Sequence, residues 1–227
     1  MRLLYSFFIC TALCIALAAS VMAQDKAGLL KEGKDSNGDG KQDTWMYSNN
    51  NAKIELIEAD ENGDGTVDKW RKFDSQGTAV KTESDSDFDG TLDTWMFFEG
   101  GKKARVEKDR DNSGAVDQWQ HFNPATGKLT KVEVASKSDK PDQIILYDDN
   151  GKKASMEQDT NGDGNKNIWV EYYPNGKNKL VAYDTKGADG QKGSDGKPDV
   201  WQKFGEDGSK GQAGFDTDGD NKADVWQ

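Results

Sequence analysis

The segment DENGDGTVDKWRKFDSQGTAVKTES, residues 60–84, contains every element of the unit from which this chain is built. It begins with an acidic, glycine-containing loop, Asp60–Asp68. A short aromatic stretch follows, Lys69–Phe73, and then a turn, Asp74–Gly77, and an alternating stretch, Val80–Glu83. Short stretches bounded by Gly, Asn and Asp are the sequence signal of a β-hairpin. We therefore predict a loop followed by two antiparallel strands.

The same unit recurs at a nearly constant interval, which tryptophan marks. Successive tryptophans are 25, 25, 24, 50, 32 and 25 residues apart, and the gap of 50 is two intervals with Ile144 in place of the missing tryptophan. Fixed periods of this size indicate a repeat array, in which each unit buries its apolar face against its neighbours. The chain is predicted to contain about eight copies, centred on Trp45, Trp70, Trp95, Trp119, Ile144, Trp169, Trp201 and Trp226.

The second strand of the unit alternates between apolar and charged side chains. Ala104 and Val106 lie five and three places before the next loop, whereas Glu107 falls on the opposite face. One-sided alternation is typical of an antiparallel sheet with one solvated face, and no segment after residue 23 has a sustained helical period. We predict an all-β chain of tandem antiparallel hairpins in an extended meander or solenoid, with a β-propeller as the alternative.

The first strand of most copies carries a second aromatic residue three places after its tryptophan, as Phe98 follows Trp95. A spacing of three breaks the alternation of a strand. Either the two rings face opposite sides of the sheet or a β-bulge lies between them. The sequence leaves both alternatives open.

The acidic loops place oxygen atoms at the spacing of a calcium-binding loop. Ca²⁺ takes six to eight oxygen ligands, and in a tight loop the side chains at positions 1, 3, 5 and 9 and the carbonyl at position 7 converge. Glycine at position 6 permits the sharp reversal of the chain. Four loops fit in full, the last with Asn221 for glycine, and their predicted calcium ligands are Asp35, Asn37, Asp39, Lys41 and Asp43; Asp60, Asn62, Asp64, Thr66 and Asp68; Asp85, Asp87, Asp89, Thr91 and Asp93; and Asp216, Asp218, Asp220, Lys222 and Asp224.

Two further loops are weakened versions of the same pattern. The fourth has a hydroxyl at position 5, and the sixth has an amide at position 9, where the complete loops have carboxylates. Their predicted ligands are Asp109, Asp111, Ser113, Ala115 and Asp117 in the fourth loop, and Asp159, Asn161, Asp163, Asn165 and Asn167 in the sixth.

The fifth and seventh loops depart further from the pattern. Counting back from Ile144 places Val134, Ser136 and Ser138 at positions 1, 3 and 5 of the fifth loop and leaves only Asp142 as an acidic ligand. We therefore predict no calcium site there. The seventh loop keeps Asp195 and Asp199 but carries seven additional residues before its tryptophan.

These loops resemble the calcium loops of integrin-type FG-GAP hairpins and, more loosely, those of thrombospondin type 3 repeats, dockerins and EF-hands. The resemblance implies Ca²⁺ as the bound ion. The EF-hand proper is a poor match, because position 12, which should be a bidentate Glu, is Met46, Arg71, Met96 and Gln120 here. The hairpins also resemble MORN-type repeats, on a short stretch such as Tyr172–Lys177. The alternative interpretation of the loops is that they are polar turns rich in Asp, Asn and Gly.

The first 23 residues have the pattern of a secretory signal peptide, with cleavage between Ala23 and Gln24. An uncleaved membrane anchor is the alternative, because the apolar run is just long enough to span a bilayer. Both cysteines, Cys10 and Cys14, lie in this segment, so no disulfide is expected in the remainder. After cleavage we expect no membrane span and a secreted, periplasmic or cell-surface location.

Composition restricts the function. The formal net charge is −11 and only 33% of residues are hydrophobic, so bound cations are expected to supply folding energy. Nucleic acid is not expected as a partner, because it carries the same sign of charge. One histidine, His121, and no recognisable nucleophile or phosphate-loop motif argue against an enzyme. We expect one array over residues 24–227, with a glycine-rich and less ordered last quarter. The predicted function is an exported calcium-binding structural or adhesive scaffold; the alternative is a calcium-stabilised binding or inhibitor module for a protein or glycan.

Overall fold

The computed structural model of this chain describes residues 26–136, 140–185 and 195–227. Throughout these ranges the chain forms β-strands joined by turns and loops, as predicted from the alternation. No helix in the described ranges is long and apolar enough to cross a bilayer. The predicted signal peptide, Ser138 and the glycines at positions 187, 190 and 193 lie outside the described residues.

The chain divides into two compact units, Met1–Thr82 and Glu83–Gln227. The boundary falls inside the fifth strand, β5 (Ala79–Ser84). The first unit contains β1 (Leu30–Lys34), β2 (Thr44–Ser48), β3 (Ile54–Ala59) and β4 (Lys69–Phe73). The second contains β6 (Thr94–Glu99), β7 (Lys102–Lys108), β8 (Gln118–Phe122), β9 (Leu129–Val134), β10 (Gln143–Tyr147), β11 (Lys153–Gln158), β12 (Ile168–Tyr172), β13 (Asn178–Tyr183), β14 (Val200–Phe204), β15 (Lys210–Phe215) and β16 (Val225–Trp226).

Within each unit every strand pairs antiparallel with its neighbours in the chain. In the first unit β1 to β4 pair in order. In the second unit β6 to β16 pair in order without interruption. A propeller would divide such a series into separate four-stranded blades. The all-β meander of consecutive hairpins is therefore confirmed within each unit.

Strand register places the tryptophans and glutamates in one row across the sheet. In the second unit Trp95 lies opposite Glu107, which lies opposite Trp119, which lies opposite Glu133. Because side chains alternate between faces along a strand, this row shares one face, and Val106 lies on the other. The opposition of Glu107 and Val106 predicted from the sequence is thus present in the structure.

The buried valine and isoleucine side chains of the second unit form a row on the face opposite the tryptophans. The members lie opposite one another on paired strands, either directly or with Gln120 or Met156 between them. Each member is at most 9% exposed: Val106, Val132, Ile145, Val170 and Val181. Burial of such side chains contributes about 1.5–3 kcal/mol each, so a short row of them is a small core for a unit of this length.

The first unit has its most buried apolar side chains on the tryptophan face instead. Tyr47 lies two residues after Trp45 and opposite Leu56, and these two side chains are 6% and 2% exposed. The Tyr47 hydroxyl donates a 2.7 Å hydrogen bond to Glu58, which also accepts the Trp70 Nε1 proton at 3.0 Å. Burial and the bond to Glu58 raise the pKa of Tyr47. The glutamate of the row therefore satisfies two buried donors.

The two strands of a hairpin shift in register near the end of the first strand, where the second strand carries one extra residue. The register shifts between Phe97 and Phe98 in β6, and between His121 and Phe122 in β8. Equivalent shifts occur at the ends of β10, β12 and β14. Phe97 lies opposite Arg105 and Phe98 lies opposite Lys103, so the unpaired extra residue is Ala104 of β7. β6 itself keeps its alternation, and the spacing of three therefore places Trp95 and Phe98 on opposite faces of the sheet.

Candidate metal-binding loops

Each acidic loop connects the second strand of one hairpin to the first strand of the next. In the first unit the loop from Asp60 to Asp68 joins β3 to β4, and in the second unit the loop from Asp109 to Asp117 joins β7 to β8. Because the strands are antiparallel, the loops of a unit lie at one end of its strands and the hairpin turns at the other. The candidate sites of a unit therefore follow one another in a row at one end of its strands.

In the loop from Asp60 to Asp68, positions 1 and 9 hold buried carboxylates that accept backbone hydrogen bonds within the loop. Asp60, at position 1, is 8% exposed and accepts the N–H groups of Gly63 at 2.7 Å and Gly65 at 2.8 Å. Asp68, at position 9, is 2% exposed and accepts the N–H of Glu61 at 2.7 Å. These bonds satisfy backbone donors that a tight loop would otherwise leave unpaired.

The side chains at positions 3 and 5 are exposed and make shorter-range bonds. Asn62 accepts the N–H of Asp64 at 2.9 Å, and Asp64 accepts the N–H of Thr66 at 2.7 Å. The backbone N–H of Thr66 and the side-chain amide of Asn62 lower the pKa of Asp64. Positions 3 and 5 thus form consecutive Asx-type turns on the solvent side of the loop.

The same hydrogen bonds recur in the other loops that carry these residues. Position 1 accepts from position 6 in every such loop of the described chain, through Gly40 to Asp35, Gly90 to Asp85, Gly114 to Asp109, Gly164 to Asp159 and Asn221 to Asp216. Position 9 accepts from position 2 in the same loops, through Ser36 to Asp43, Ser86 to Asp93, Arg110 to Asp117, Thr160 to Asn167 and Thr217 to Asp224. The side chain of Asn167 therefore replaces a carboxylate without changing the loop's closure.

Two of the four complete loops bring three carboxylates together. Oxygens of Asp85, Asp87 and Asp93 lie within 4.8 Å of one another, and so do those of Asp216, Asp218 and Asp224. Both clusters consist of positions 1, 3 and 9 and leave out position 5. A carboxylate that accepts one N–H on each oxygen keeps further lone pairs, so loop closure and cation binding are compatible uses of the same groups.

Hydrogen bonding lowers the pKa of one carboxyl group in each cluster, Asp93 and Asp216, although both belong to clusters of acidic groups. Burial raises the pKa of Asp93, but the hydroxyls of Thr94 and Ser86 lower it more, and the net pKa lies below the ordinary value of 3.8. For Asp216, burial again raises the pKa, and the N–H groups of Gly219 and Asn221 bring it below that value. These carboxyl groups are therefore charged at neutral pH.

The third loop also receives a side chain from the loop after it. The Nδ2 group of Asn112 donates to Asp87 at 2.7 Å and to Asp89 at 3.1 Å. Asn112 occupies position 4 of the fourth loop with a φ of 55°, in the left-handed region that Asn tolerates better than most residues. The two neighbouring loops are thus joined through the exposed ligand positions of the third.

A backbone ladder links successive loops within each unit. The N–H at position 1 donates to the carbonyl at position 9 of the preceding loop, as from Asp60 to Asp43 at 2.8 Å in the first unit. In the second unit Asp109 donates to Asp93 at 2.9 Å and Asp216 donates to Asp199 at 3.0 Å. The position-9 residue therefore belongs to two loops, one through its side chain and the next through its carbonyl.

The fifth loop differs from the sequence-based numbering by one residue. The ladder bond to Asp117 comes from the N–H of Ala135, and Asp142 donates to Val134 as other position-9 residues donate to the last residue of a strand. Position 1 is therefore Ala135, and Val134 is the end of β9; the assignment of Val134 to position 1 is wrong. The loop is one residue short, which counting at a constant interval cannot detect.

The seventh loop contains an acidic residue that the sequence analysis missed. Asp184 donates its N–H to Asn167 at 3.0 Å and accepts the N–H of Gly196 at 2.7 Å, which are the bonds of position 1. Asp199 accepts from Thr185 at 3.2 Å, as position 9 does. Asp184, at position 1, and Asp199, at position 9, are buried. An acidic residue directly after the alternating strand β13 was the available signal, but the additional residues separate it from Gly196.

No protein-family model and no curated protein matches this chain. Similar solved structures include a mutant of S. aureus TarM in complex with fondaparinux, alpha-GlcNAc-glycerol and UDP, at 12% identity and a TM-score of 0.30, covering 67% of this chain and 24% of that one. A second crystal structure of TarM matches at 11% identity and a TM-score of 0.18, covering 69% of this chain and 22% of that one. The chain thus spans less than a quarter of the length of these structures, and likeness at these TM-scores carries no argument about function.

Proposed function

We propose that this protein is an exported calcium-binding repeat protein that acts as a structural or adhesive scaffold and not as an enzyme. The observation that carries the proposal is the repetition, at one end of each unit's strands, of one loop whose complete copies have carboxylates at positions 1 and 9. Support for a cation comes from the two triads of carboxylate oxygens within 4.8 Å. Ca²⁺ is favoured because it takes carboxylate, amide and carbonyl oxygens in flexible geometry.

The energetic argument connects these sites to the small core. Carboxylates in one loop repel each other, and a bound divalent cation replaces that repulsion with attraction. A site stabilises the folded chain by about 1.4 kcal/mol for each tenfold excess of calcium over Kd. Extracellular calcium modules commonly have Kd values of about 10⁻⁴ to 10⁻³ M. Several such sites would contribute as much as a row of buried aliphatic side chains.

A binding module for a protein or glycan is the second candidate, and the row of tryptophan and glutamate favours it. Trp95, Trp119 and Trp169 are half-buried, and Glu157 in the same row is exposed. Equivalent positions of neighbouring copies lie two strands apart, a repeat of about 9.6 Å, and Ile144 occupies this position between Trp119 and Trp169. A ligand screen with and without chelator separates the two candidates. A binding module should capture a protein or glycan partner under every condition in which the array is folded.

Calorimetric titration of residues 24–227 with calcium tests the proposal. We expect about four to six ions per chain, from four complete and two weakened loops. The matched variants are Asp93→Asn in a complete loop and Asp142→Asn in the fifth, since both residues accept a loop N–H. Asp93→Asn should remove one site, and Asp142→Asn should remove none. Absence of binding to the unaltered chain would show that the loops are only turns.

A further inference from the structure

The hairpin turns, at the opposite ends of the strands from the acidic loops, are also joined to one another. In the first unit Lys53 Nζ donates to the Ser75 carbonyl at 2.7 Å. In the second unit Lys152 Nζ donates to the Pro174 carbonyl at 2.6 Å. Lys128 Nζ donates in the same way to the carbonyl of Asp149. One lysine from a turn thus reaches the backbone of the following turn, at intervals of one repeat.

One junction between turns is more extensive than the others. Three side chains of the turn between β12 and β13 donate to backbone carbonyls of the turn between β14 and β15. The bonds are Tyr173 Oη to Phe204 O at 3.0 Å, Asn175 Nδ2 to Glu206 O at 2.8 Å, and Lys177 Nζ to Asp207 O at 2.5 Å. The stem of Lys177 also lies over the turn, because a Cβ at Gly208 would be 3.4 Å from its Cδ. A tyrosine, an amide and a lysine therefore hold one turn against the next.

This junction joins the same two hairpins that the seventh loop connects. That loop departs from the nine-residue pattern between Asp184 and Asp195. At the junctions made by Lys53 and Lys152, a loop of nine residues joins the same two hairpins and a single lysine bond joins their turns. Here the longer connection, whose closure costs more conformational entropy, coincides with three donors at the turn end.

We propose that Tyr173, Asn175 and Lys177 form a metal-independent clamp that fixes the β14–β15 hairpin to the β12–β13 hairpin. All three acceptors are backbone carbonyls and none of the donors is a candidate ligand, so no group of the clamp changes when a cation binds to the acidic loops. In a repeat array the coupling between neighbouring units decides whether they unfold together. The clamp supplies that coupling where the loop is irregular.

The test compares the double variant Tyr173→Phe with Lys177→Met against a matched control, Tyr147→Phe with Lys153→Met. Phe and Met keep the ring and the aliphatic stem, so each variant removes only polar groups. Asn175 is left in place because its Oδ1 accepts the N–H of Lys177 at 2.9 Å within the turn. Thermal unfolding of residues 24–227 is followed by tryptophan fluorescence in millimolar calcium and in chelator.

The clamp variant is expected to lower Tm by about 2–4 °C for each bond lost, equally in calcium and in chelator. The control variant should have the same Tm as the unaltered chain. A clamp variant that melts with the control overturns the proposal, and so does a loss confined to one of the two buffers. An unaltered chain with no melting transition in chelator also overturns it. Failure to bind calcium would refute the proposed function and leave this comparison intact.

Discussion

At the scale of single residues, each loop carboxylate has a structural role in addition to any cation it binds. Asp93 accepts the N–H and the hydroxyl of Ser86, and Thr94 donates to it as well. Asn167 accepts the corresponding N–H of Thr160 at 3.0 Å and closes its loop equally. Loop closure therefore requires an oxygen at position 9, whereas tight cation binding requires that oxygen to be charged.

Replacement of Asn167 by Asp should strengthen the sixth loop as a calcium site. The variant keeps the oxygen that accepts from Thr160 and adds a charge near Asp159 and Asp163, so affinity at this loop is expected to rise about tenfold or more, since each 1.4 kcal/mol is a factor of ten. Calorimetric titration would detect one additional tight site. In calcium-free buffer the same variant should melt no higher than the unaltered chain, because the new charge is then only repelled. An unchanged titration would contradict the role of position 9.

Acid should destabilise the folded chain over a defined range. The pKa values of Asp93, Asp159 and Asp216 lie below the ordinary value of 3.8, in each case because loop N–H or hydroxyl groups outweigh the effect of burial. A group whose pKa is lower in the folded chain adds stability above its unfolded pKa and loses it as the pH falls through the folded value. Melting in calcium-free buffer should therefore be flat from pH 7 to about 5 and fall below pH 3.8. A midpoint that rises on acidification would contradict this.

At the scale of the element, residues on the same face of equivalent strands differ widely in burial. Val106 is 4% exposed and lies opposite Met96 and Gln120, whereas Val80 in β5 is 37% exposed. Both are valines in the second strand of a hairpin. Their difference in burial comes from what covers the face and not from local sequence.

Truncation of Val106 to Ala should cost about 2 kcal/mol of unfolding free energy, from lost burial and the cavity left behind. The matched change of Val80 to Ala should stay within about 0.5 kcal/mol, as is usual for exposed positions. Urea unfolding in saturating calcium measures both. Equal losses in the two variants would show that the aliphatic row is not the core of the second unit.

At the scale of the whole molecule, the hydrophobic share is low and the net charge is −11. We therefore expect the loops to decide whether the folded chain is stable. On the proposed function, removal of calcium would restore repulsion at every site at once. At a hundredfold excess over Kd each site contributes about 2.7 kcal/mol, so the whole set of sites exceeds the total stability of many domains. Calcium binding to the whole set of sites should therefore change the free energy of unfolding by more than any single substitution in one loop.

Chelation should accordingly lower Tm by more than 10 °C, since about 1 kcal/mol corresponds to 2–4 °C in a chain of this size. Differential scanning calorimetry in millimolar calcium and in chelator measures the difference. Magnesium at the same concentration is the control, because it demands octahedral geometry and retains its water, and it should restore less than half of the loss. Equal melting temperatures in all three buffers would contradict a stabilising role for calcium.

The amino-acid sequence alone determined the repeat, the hairpin and the position of the acidic loops, because these depend on local spacing. Alternation along one strand and glycine at position 6 are visible within a single unit, and the period of 25 residues is visible from consecutive units. The opposed faces of Val106 and Glu107 followed from the same alternation. Each of these features is a short-range consequence of backbone geometry.

Only the tertiary structure decided the features that depend on pairing between strands. The extra residue of the β6–β7 hairpin is Ala104 in β7, so Trp95 and Phe98 face opposite sides of the sheet, and this follows only from the pairing because both alternatives have the same sequence spacing. Ala135 and Asp184 take position 1 of their loops because their N–H groups meet the carbonyls of the preceding loops, although counting from the tryptophans places neither there. An inserted or deleted residue shifts the count along the chain but leaves the ladder between neighbouring loops unchanged, because hydrogen bonds are set by distance in space.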